Sequence, residues 1–308
     1  MDRKLVVIYR RTRLEELVER YNSVDQARFY IESLGEDFQD YVLENDNYQK
    51  SIGKMKQDLS GINVRFHFVE RRFLANYIFN PDDLIIVHGQ DGLVANTLKY
   101  LEGQPVIGVN PDPERWEGKL LPFRVCDLKS LIPDALKDKR YFSEVTMAQA
   151  TLNDGQTLKA VNDFFIGVKN HGSFRYVIET AGYEEHQSSS GVIISAPLGG
   201  SAWLTSVLTG ARKIMGHFIT VPDNNFNLFE SWDEKKLIYS VREPFPSLYS
   251  QTENCFGIIR DQEKLTLRSE TPDNAVIFSD GIQEDFIEFT SGSVAEVSIS
   301  DTRGVILY

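Results

Sequence analysis

The stretch Asp82–Asn110, DDLIIVHGQDGLVANTLKYLEGQPVIGVN, decides how the chain begins to fold. Leu84–Val87 is a short apolar run of branched side chains and reads as a buried strand. It stops at Gly89-Gln90-Asp91-Gly92, where two glycines permit a tight turn and the close approach of a ligand. Val94, Leu98 and Leu101 then recur at helical spacing. Pro105–Val109 is a second apolar run and reads as the next strand. The result is strand, turn, helix, strand, with a carboxylate at the turn. Open parallel sheets bind ligands beyond the carboxyl ends of their strands. Asp91 is therefore the first candidate for chemistry.

Working outward, Leu5–Tyr9 reads as an earlier parallel strand. Residues 13–34 read as one helix with Leu14, Leu17, Tyr21 and Val24 on a face. The acid-rich stretch 35–60 reads as helical, with Ile52, Met55 and Leu59 inward and its acids on a solvated face. Val64–Val69 alternates as a strand. This alternation predicts an α/β layer around a parallel sheet. Beyond about residue 125 the texture changes. Short strands such as Phe164–Val168, Phe174–Thr180, Gly191–Ala196 and Lys236–Val241 alternate with turn signals. The expected fold is α/β plus all-β. A parallel α/β domain at 1–125 precedes a β-rich, sandwich-like, mainly antiparallel domain at 126–308, whose last segment packs back on the first.

Composition narrows the function. The 308 residues are 42% hydrophobic and 25% charged, ordinary for a globular protein. With 33 basic and 45 acidic residues the formal charge is −12, which argues against a nucleic-acid or anionic-membrane binder. Anionic small ligands stay open, because glycine turns and helix N-termini hold phosphate without net charge. No apolar run approaches a membrane span, and nothing ahead of Leu5 reads as a signal or transit peptide, so a cytoplasmic protein is expected. Cys126 and Cys255 make no disulfide framework and are expected as buried, small apolar residues. No His/Cys/carboxylate cluster has structural-metal spacing, so no protein-built metal site is expected.

Three constellations could carry chemistry. Gly89, Gln90, Gly92 and Leu93 surround Asp91 between a strand and a helix, a setting that favours phosphate contact. Asn162-Asp163 opens a strand; taken alone such a pair is a turn or strand-edge cap. Ser188–Trp203 runs from a strand into a Pro/Gly/Gly/Ser turn and a helix. Its Ser190, Gly199, Gly200, Ser201, Ala202 and Trp203 could meet an anion or a base edge, or merely connect strand to helix.

The order of these segments resembles the NAD kinases. It matches in the GxDG turn, Pro105–Asn110, Asn162-Asp163, the run Ser190–Trp203 with its SGVIISxPxGGSAW pattern, and Ser279-Asp280-Gly281. Arg11-Thr12-Arg13, Asp112–Arg115, Glu117-Gly118 and Val241–Pro244 bring it closest to the mitochondrial-type branch. The resemblance implies an ATP-dependent kinase of the adenosine ribose 2′-hydroxyl of NAD, making NADP, with Mg2+ entering with ATP. It implies an active site between an α/β and a β-rich domain, in a homodimer or higher homo-oligomer. It makes Asp91 the catalytic aspartate. Gly89, Gln90, Gly92 and Leu93 would hold nucleotide phosphate. Asn162, Asp163, Ser190 and Gly199–Trp203 would hold NAD. The chain departs from the pattern at Gln90, Leu93, Asp163 and Leu198-Gly199-Gly200. Gln90 and the hydroxyl-poor turn favour a rival, a non-catalytic NAD(P)-binding sensor on the same scaffold; a third option is a kinase of another nucleotide or polyol.

Overall fold

The computed structural model describes residues 3–137, 139–222, 226–282 and 285–308. The chain forms two compact units. One runs through Ser143 and takes back Val305–Tyr308; the other is Glu144–Gly304.

The first unit is built on parallel strands β1 (Leu5–Tyr9), β2 (Phe66–Glu70), β3 (Leu84–His88) and β4 (Pro105–Val109). β18 (Gly304–Leu307), from the chain's end, pairs parallel with β4, and β5 (Phe142–Val145) follows at the sheet edge. The order is β2-β1-β3-β4-β18-β5. Three helices, α1 (Arg13–Tyr21), α2 (Val24–Ser33) and α3 (Phe38–Ser60), connect β1 to β2. α4 (Asp91–Leu98) connects β3 to β4, and α5 (Leu128–Ala135) follows β4.

Strand periodicity sorts the buried side chains onto two faces. Leu5, Val7, Leu84, Ile86, Ile107 and Val109 share one core with Met55 and Leu59 of α3 and Leu128 and Ile132 of α5. Val6, Ile8, Ile85, Val87 and Val106 are also buried but point the other way. Right-handed crossovers put α4 on that second face.

Two sequence expectations change here. The helix expected over 13–34 is two helices. Asn22 takes φ 64° and ends α1, and the Ser23 side chain then accepts from the Gln26 amide to start α2. The boundary expected at 125 falls at 143, because Val125, Leu128, Leu131, Ile132 and Ala135 are buried in the first unit's core.

The second unit is two antiparallel six-stranded sheets. One has the order β10-β9-β14-β17-β6-β7. It comprises β6 (Ala148–Leu152), β7 (Thr157–Ala160), β9 (Phe174–Thr180), β10 (Tyr183–Ser189), β14 (Leu265–Ser269) and β17 (Val294–Ile299). The other has the order β13-β12-β11-β8-β15-β16. It comprises β8 (Asp163–Val168), β11 (Gly191–Ser195), β12 (Lys236–Arg242), β13 (Phe256–Arg260), β15 (Ala275–Ser279) and β16 (Phe286–Glu288). Side chains of both sheets, among them Phe164, Ile166, Tyr176, Ile194, Leu267 and Val297, form one core, which makes a sandwich. α6 (Trp203–Met215) follows β11 through a short 3-10 turn, Pro197–Ser201.

The register of the second sheet lays out its other face. Ser240, Ile193, Phe165 and Phe278 stand opposite one another across β12, β11, β8 and β15. Ile238, Ser195 and Asp163 form the adjacent row. Among the described residues no helix is long and apolar enough to cross a membrane.

Candidate functional site

In the first unit the strand order 2-1-3-4 reverses direction between β1 and β3. Their carboxyl ends are where an open sheet offers a ligand crevice. Tyr9 stands beside His88 in the register, so Arg10 and Gly89 leave the sheet side by side. Asp91 begins α4 at this point. Its carboxylate holds a segment that follows β4: the Leu120 amide donates to Oδ1 at 2.8 Å and the Lys119 amide to Oδ2 at 3.1 Å.

That segment crosses close over the sheet. A Cβ on Gly108 of β4 would stand 1.9 Å from the Leu120 carbonyl oxygen, so only glycine fits there. The turn's own glycines have other uses. Neither Gly89 nor Gly92 adopts positive φ. Gly89 leaves room for the Leu93 side chain, which would meet a Cβ at 2.8 Å, while Gly92 is exposed with nothing near it. Leu93 itself is buried, so only its backbone faces the turn. Gln90 occupies the cap position of α4, is half-buried, and makes no cap hydrogen bond with its side chain.

Beneath the turn lies a buried polar network. His88 is fully buried, and its Nε2 lies 2.8 Å from the Ser51 hydroxyl. Burial, and then the positive Arg10, push its pKa down to about 3, so the ring is neutral. The Tyr48 hydroxyl donates to the His88 carbonyl at 2.9 Å and accepts from the Arg10 amide at 3.1 Å. Arg10 pairs with Glu44 at 2.6 Å, and Glu44 also faces Arg13. Arg13 and Arg115 both pair with Asp40 at 2.7 Å. Those two guanidiniums hold the Asp40 carboxyl at about 2, well below the usual range. The acids expected on a solvated face thus include Glu44 and Asp58, which are buried and ion-paired. A helix that follows β1 must turn part of its polar side toward the strand ends, where arginines wait.

The second unit holds Asn162 and Asp163. Asp280, at φ 56°, turns its carboxylate onto the start of β8 and accepts from the amides of Val161, Asn162 and Asp163 at 2.6–3.3 Å. The Asp280 amide in turn donates to the Asp163 carbonyl at 2.9 Å. Asp163 is buried and its Oδ1 has no partner. Burial raises its pKa to about 7; the neighbouring Ser195 hydroxyl opposes this and the Asp280 charge adds to it. At neutral pH this carboxyl is close to half-protonated, able to donate as well as accept.

The turn after β11 packs directly on Asn162. The Ala196 amide donates to the Asn162 carbonyl at 2.8 Å, and a Cβ on Gly199 would stand 2.2 Å from that oxygen. The Phe229 ring lies against Gly200, 2.3 Å from where a Cβ would be. Ser201 and Ala202 are exposed. Trp203 is half-buried and stacks on Phe165 with ring centres 5.6 Å apart, and Arg242 lies over its ring at 5.7 Å. The structure thus gathers Asn162, Asp163, Gly199 and Gly200. Ser190 stands apart: it precedes β11, whereas Asp163 faces the strand's other end at Ser195, roughly 16 Å away by strand rise.

The chain is 25% identical to NAD kinase 2, mitochondrial, from Rattus norvegicus, over 99% of its length and 87% of the relative's. It is 24% identical to the Homo sapiens protein of the same name, over 99% and 84%. These matches support an assignment to the NAD kinase family. No family model matches it. Solved NAD kinase structures show the same fold. An NAD kinase from Archaeoglobus fulgidus in complex with ATP aligns with a TM-score of 0.59 at 12% identity, over 99% of this chain and 93% of that one. Yeast NADH kinase complexed with NADH aligns at 0.58 and 15%, over 100% and 84%.

Several positions in this chain escaped the sequence reading. Arg10 and Glu44 meet across 34 residues of chain, which no local pattern announces. The Lys119–Leu120 segment carries no turn signature of its own. Asp280 had a visible sign, Asp-Gly after a strand, but its three amide partners lie more than a hundred residues earlier. Cys126 is exposed, against the expectation of a buried thiol, while Cys255 is half-buried and its thiol pKa is raised by burial.

Proposed function

We propose that the chain is an ATP-dependent NAD kinase, phosphorylating the adenosine ribose 2′-hydroxyl of NAD to make NADP. The observation that carries the reading is the Asp91 carboxylate at the carboxyl end of β3, oriented by the Lys119 and Leu120 amides. The relatives named NAD kinase, and neighbours solved with ATP and NADH, support it.

Phosphoryl transfer depends on positioning and charge neutralisation more than on covalent chemistry. A ribose hydroxyl is a weak nucleophile, and a carboxylate within hydrogen-bond reach orients it and accepts its proton. Asp91 is assigned that role. Each carboxylate oxygen has two lone-pair directions, so one amide per oxygen fixes the group and leaves it able to accept from substrate. The exposed backbone at Gly92 and the start of α4 would face donor phosphate, with Gln90 at its rim. Asn162, Asp163, Gly199–Trp203 and Ser190 are assigned to NAD. Among the described residues no group of three or more His, Cys, Asp or Glu side chains could hold a metal ion. Mg2+ is assigned to the ATP substrate and enters with it.

The test is NADP formation from ATP, Mg2+ and NAD, beside an NAD binding titration. Turnover supports the kinase. Binding without turnover supports the sensor, which the Gln90 side chain and the Phe229 ring against Gly200 favour. ATP consumption only with another acceptor supports the third reading. The proposal also carries a homo-oligomer, which light scattering tests, and a cytoplasmic location, although the relatives' names say mitochondrial; fractionation decides.

A further inference from the structure

The first unit contains a cavity of about 490 Å³ between α3, the segment after β4 and the start of the α5 region. Lys50 and Ser51 line one side, Asn110, Asp112 and Glu114 a second, and Arg124 and Cys126 a third. It lies on the α3 side of the sheet, opposite to α4.

Its charges differ from those of its immediate neighbours. Arg10, Arg13, Arg115 and Lys54 nearby are all ion-paired. Lys50 and Arg124 are exposed, line the same cavity, and have no ion-pair partner among the described residues. Two acids also line it: Asp112 is already engaged by the Asn47 side-chain amide at 3.0 Å and Arg115 at 3.7 Å, while Glu114 has no ion-pair partner among the described residues. Lys50 and Arg124 against the one unengaged acid, Glu114, leave the lining with a net positive charge on a chain of net charge −12, which fits an anion. Pro111, Pro113 and Val125 give it apolar walls, and Asn110 a polar edge. The volume and this mixture suit a phosphorylated ligand of mononucleotide size.

The cavity also touches the segment that Asp91 holds. Asn110 accepts from the Asp112 amide and donates to the Trp116 carbonyl, and the same segment then gives its Lys119 and Leu120 amides to Asp91. We propose that this cavity is a second, regulatory site for a phosphorylated ligand of mononucleotide size, whose phosphate meets Lys50 and Arg124 and whose occupancy is felt at Asp91 through residues 110–120. The binding half stands without the kinase reading; the coupling to turnover rests on it.

Cys126 reports occupancy without any activity assay. The full chain is treated with iodoacetamide, and alkylation of Cys126 and Cys255 is followed by mass spectrometry. AMP and inorganic pyrophosphate are the probes, with adenosine as the uncharged control. At ten times the dissociation constant, mass action slows Cys126 alkylation about tenfold, with Cys255 unchanged. Lys50→Ala/Arg124→Ala abolishes the protection. Glu114→Gln, which removes the cavity's unpaired acid, lowers the probe concentration required. No protection at millimolar probe, equal protection by adenosine, or protection that survives the double substitution would overturn the site. Turnover inhibited or activated by pyrophosphate without competition against ATP, and insensitive in the double variant, supports the coupling. NADP formation with no Cys126 protection sinks the regulatory site alone. Cys126 protection with no NADP formation sinks the kinase reading alone.

Discussion

Replacing Asp163 with Asn removes a titration that sets how stability changes with pH. The carboxyl sits under the Asn162 turn with one oxygen unpartnered, and burial lifts its pKa from 3.8 to about 7. Below the ordinary aspartate range both folded and unfolded chains carry the neutral acid. As pH rises toward 7 the unfolded chain ionises and the folded one does not, so stability falls; above 7 both are charged and the loss is complete. The difference in pKa corresponds to on the order of 4 kcal/mol. Asparagine fills nearly the same space and has no such titration. The absolute offset between variant and parent depends on how the amide is satisfied, but its change with pH does not. Urea unfolding at pH 4.5, 6 and 8, followed by circular dichroism, should show Asp163→Asn gaining on the parent by several kcal/mol from the lowest pH to the highest. A difference that stays flat within about 0.5 kcal/mol would refute the placement of a buried, poorly partnered carboxyl at this turn.

Further outcomes follow from single contacts. Glu44→Gln leaves the half-buried Arg10 without its buried counter-charge and should lower stability by about 3 kcal/mol, read as a shift in the urea midpoint. Gly108→Ala drives a methyl into the Leu120 carbonyl; it should cost about 2–3 kcal/mol in the first unit, read by thermal unfolding. His88 is neutral to about pH 3 when folded but takes a proton near 6.5 when unfolded, so it favours folding above that range and loses stability as pH falls. Near pH 4.5 the loss is on the order of 3 kcal/mol, and His88→Gln should remove that share of the acid sensitivity in paired denaturation curves.

The parallel sheet was legible because its strands are fully apolar runs, and buried parallel strands need no partner sequence to be recognised. Asp91 was legible for a related reason: it is the first polar side chain of α4 after such a run. The sandwich announced itself by turn signals between short strands. What stayed hidden was set by contacts distant in sequence. Glu44 and Asp58 look like solvent-facing acids until Arg10 and Lys54 or Lys129 are placed beside them. The break at Asn22 rests on one left-handed residue in an otherwise continuous pattern. The texture change at 125 marked where strands become short, not where the core divides, because α5 still packs on the first sheet. Gly199 read as part of a ligand turn; its missing side chain is required by the Asn162 carbonyl. Cys126 was misplaced because composition gives a cysteine's average environment and not its own.

The most direct measurement compares NADP formation by the parent and by Asp91→Asn, at saturating ATP, Mg2+ and NAD, with NAD affinity measured in parallel. Turnover by the parent and a loss of about 10²- to 10⁴-fold in the variant, with NAD affinity kept, is the expected result. A variant that makes NADP as fast as the parent would contradict the assignment of Asp91 as the base.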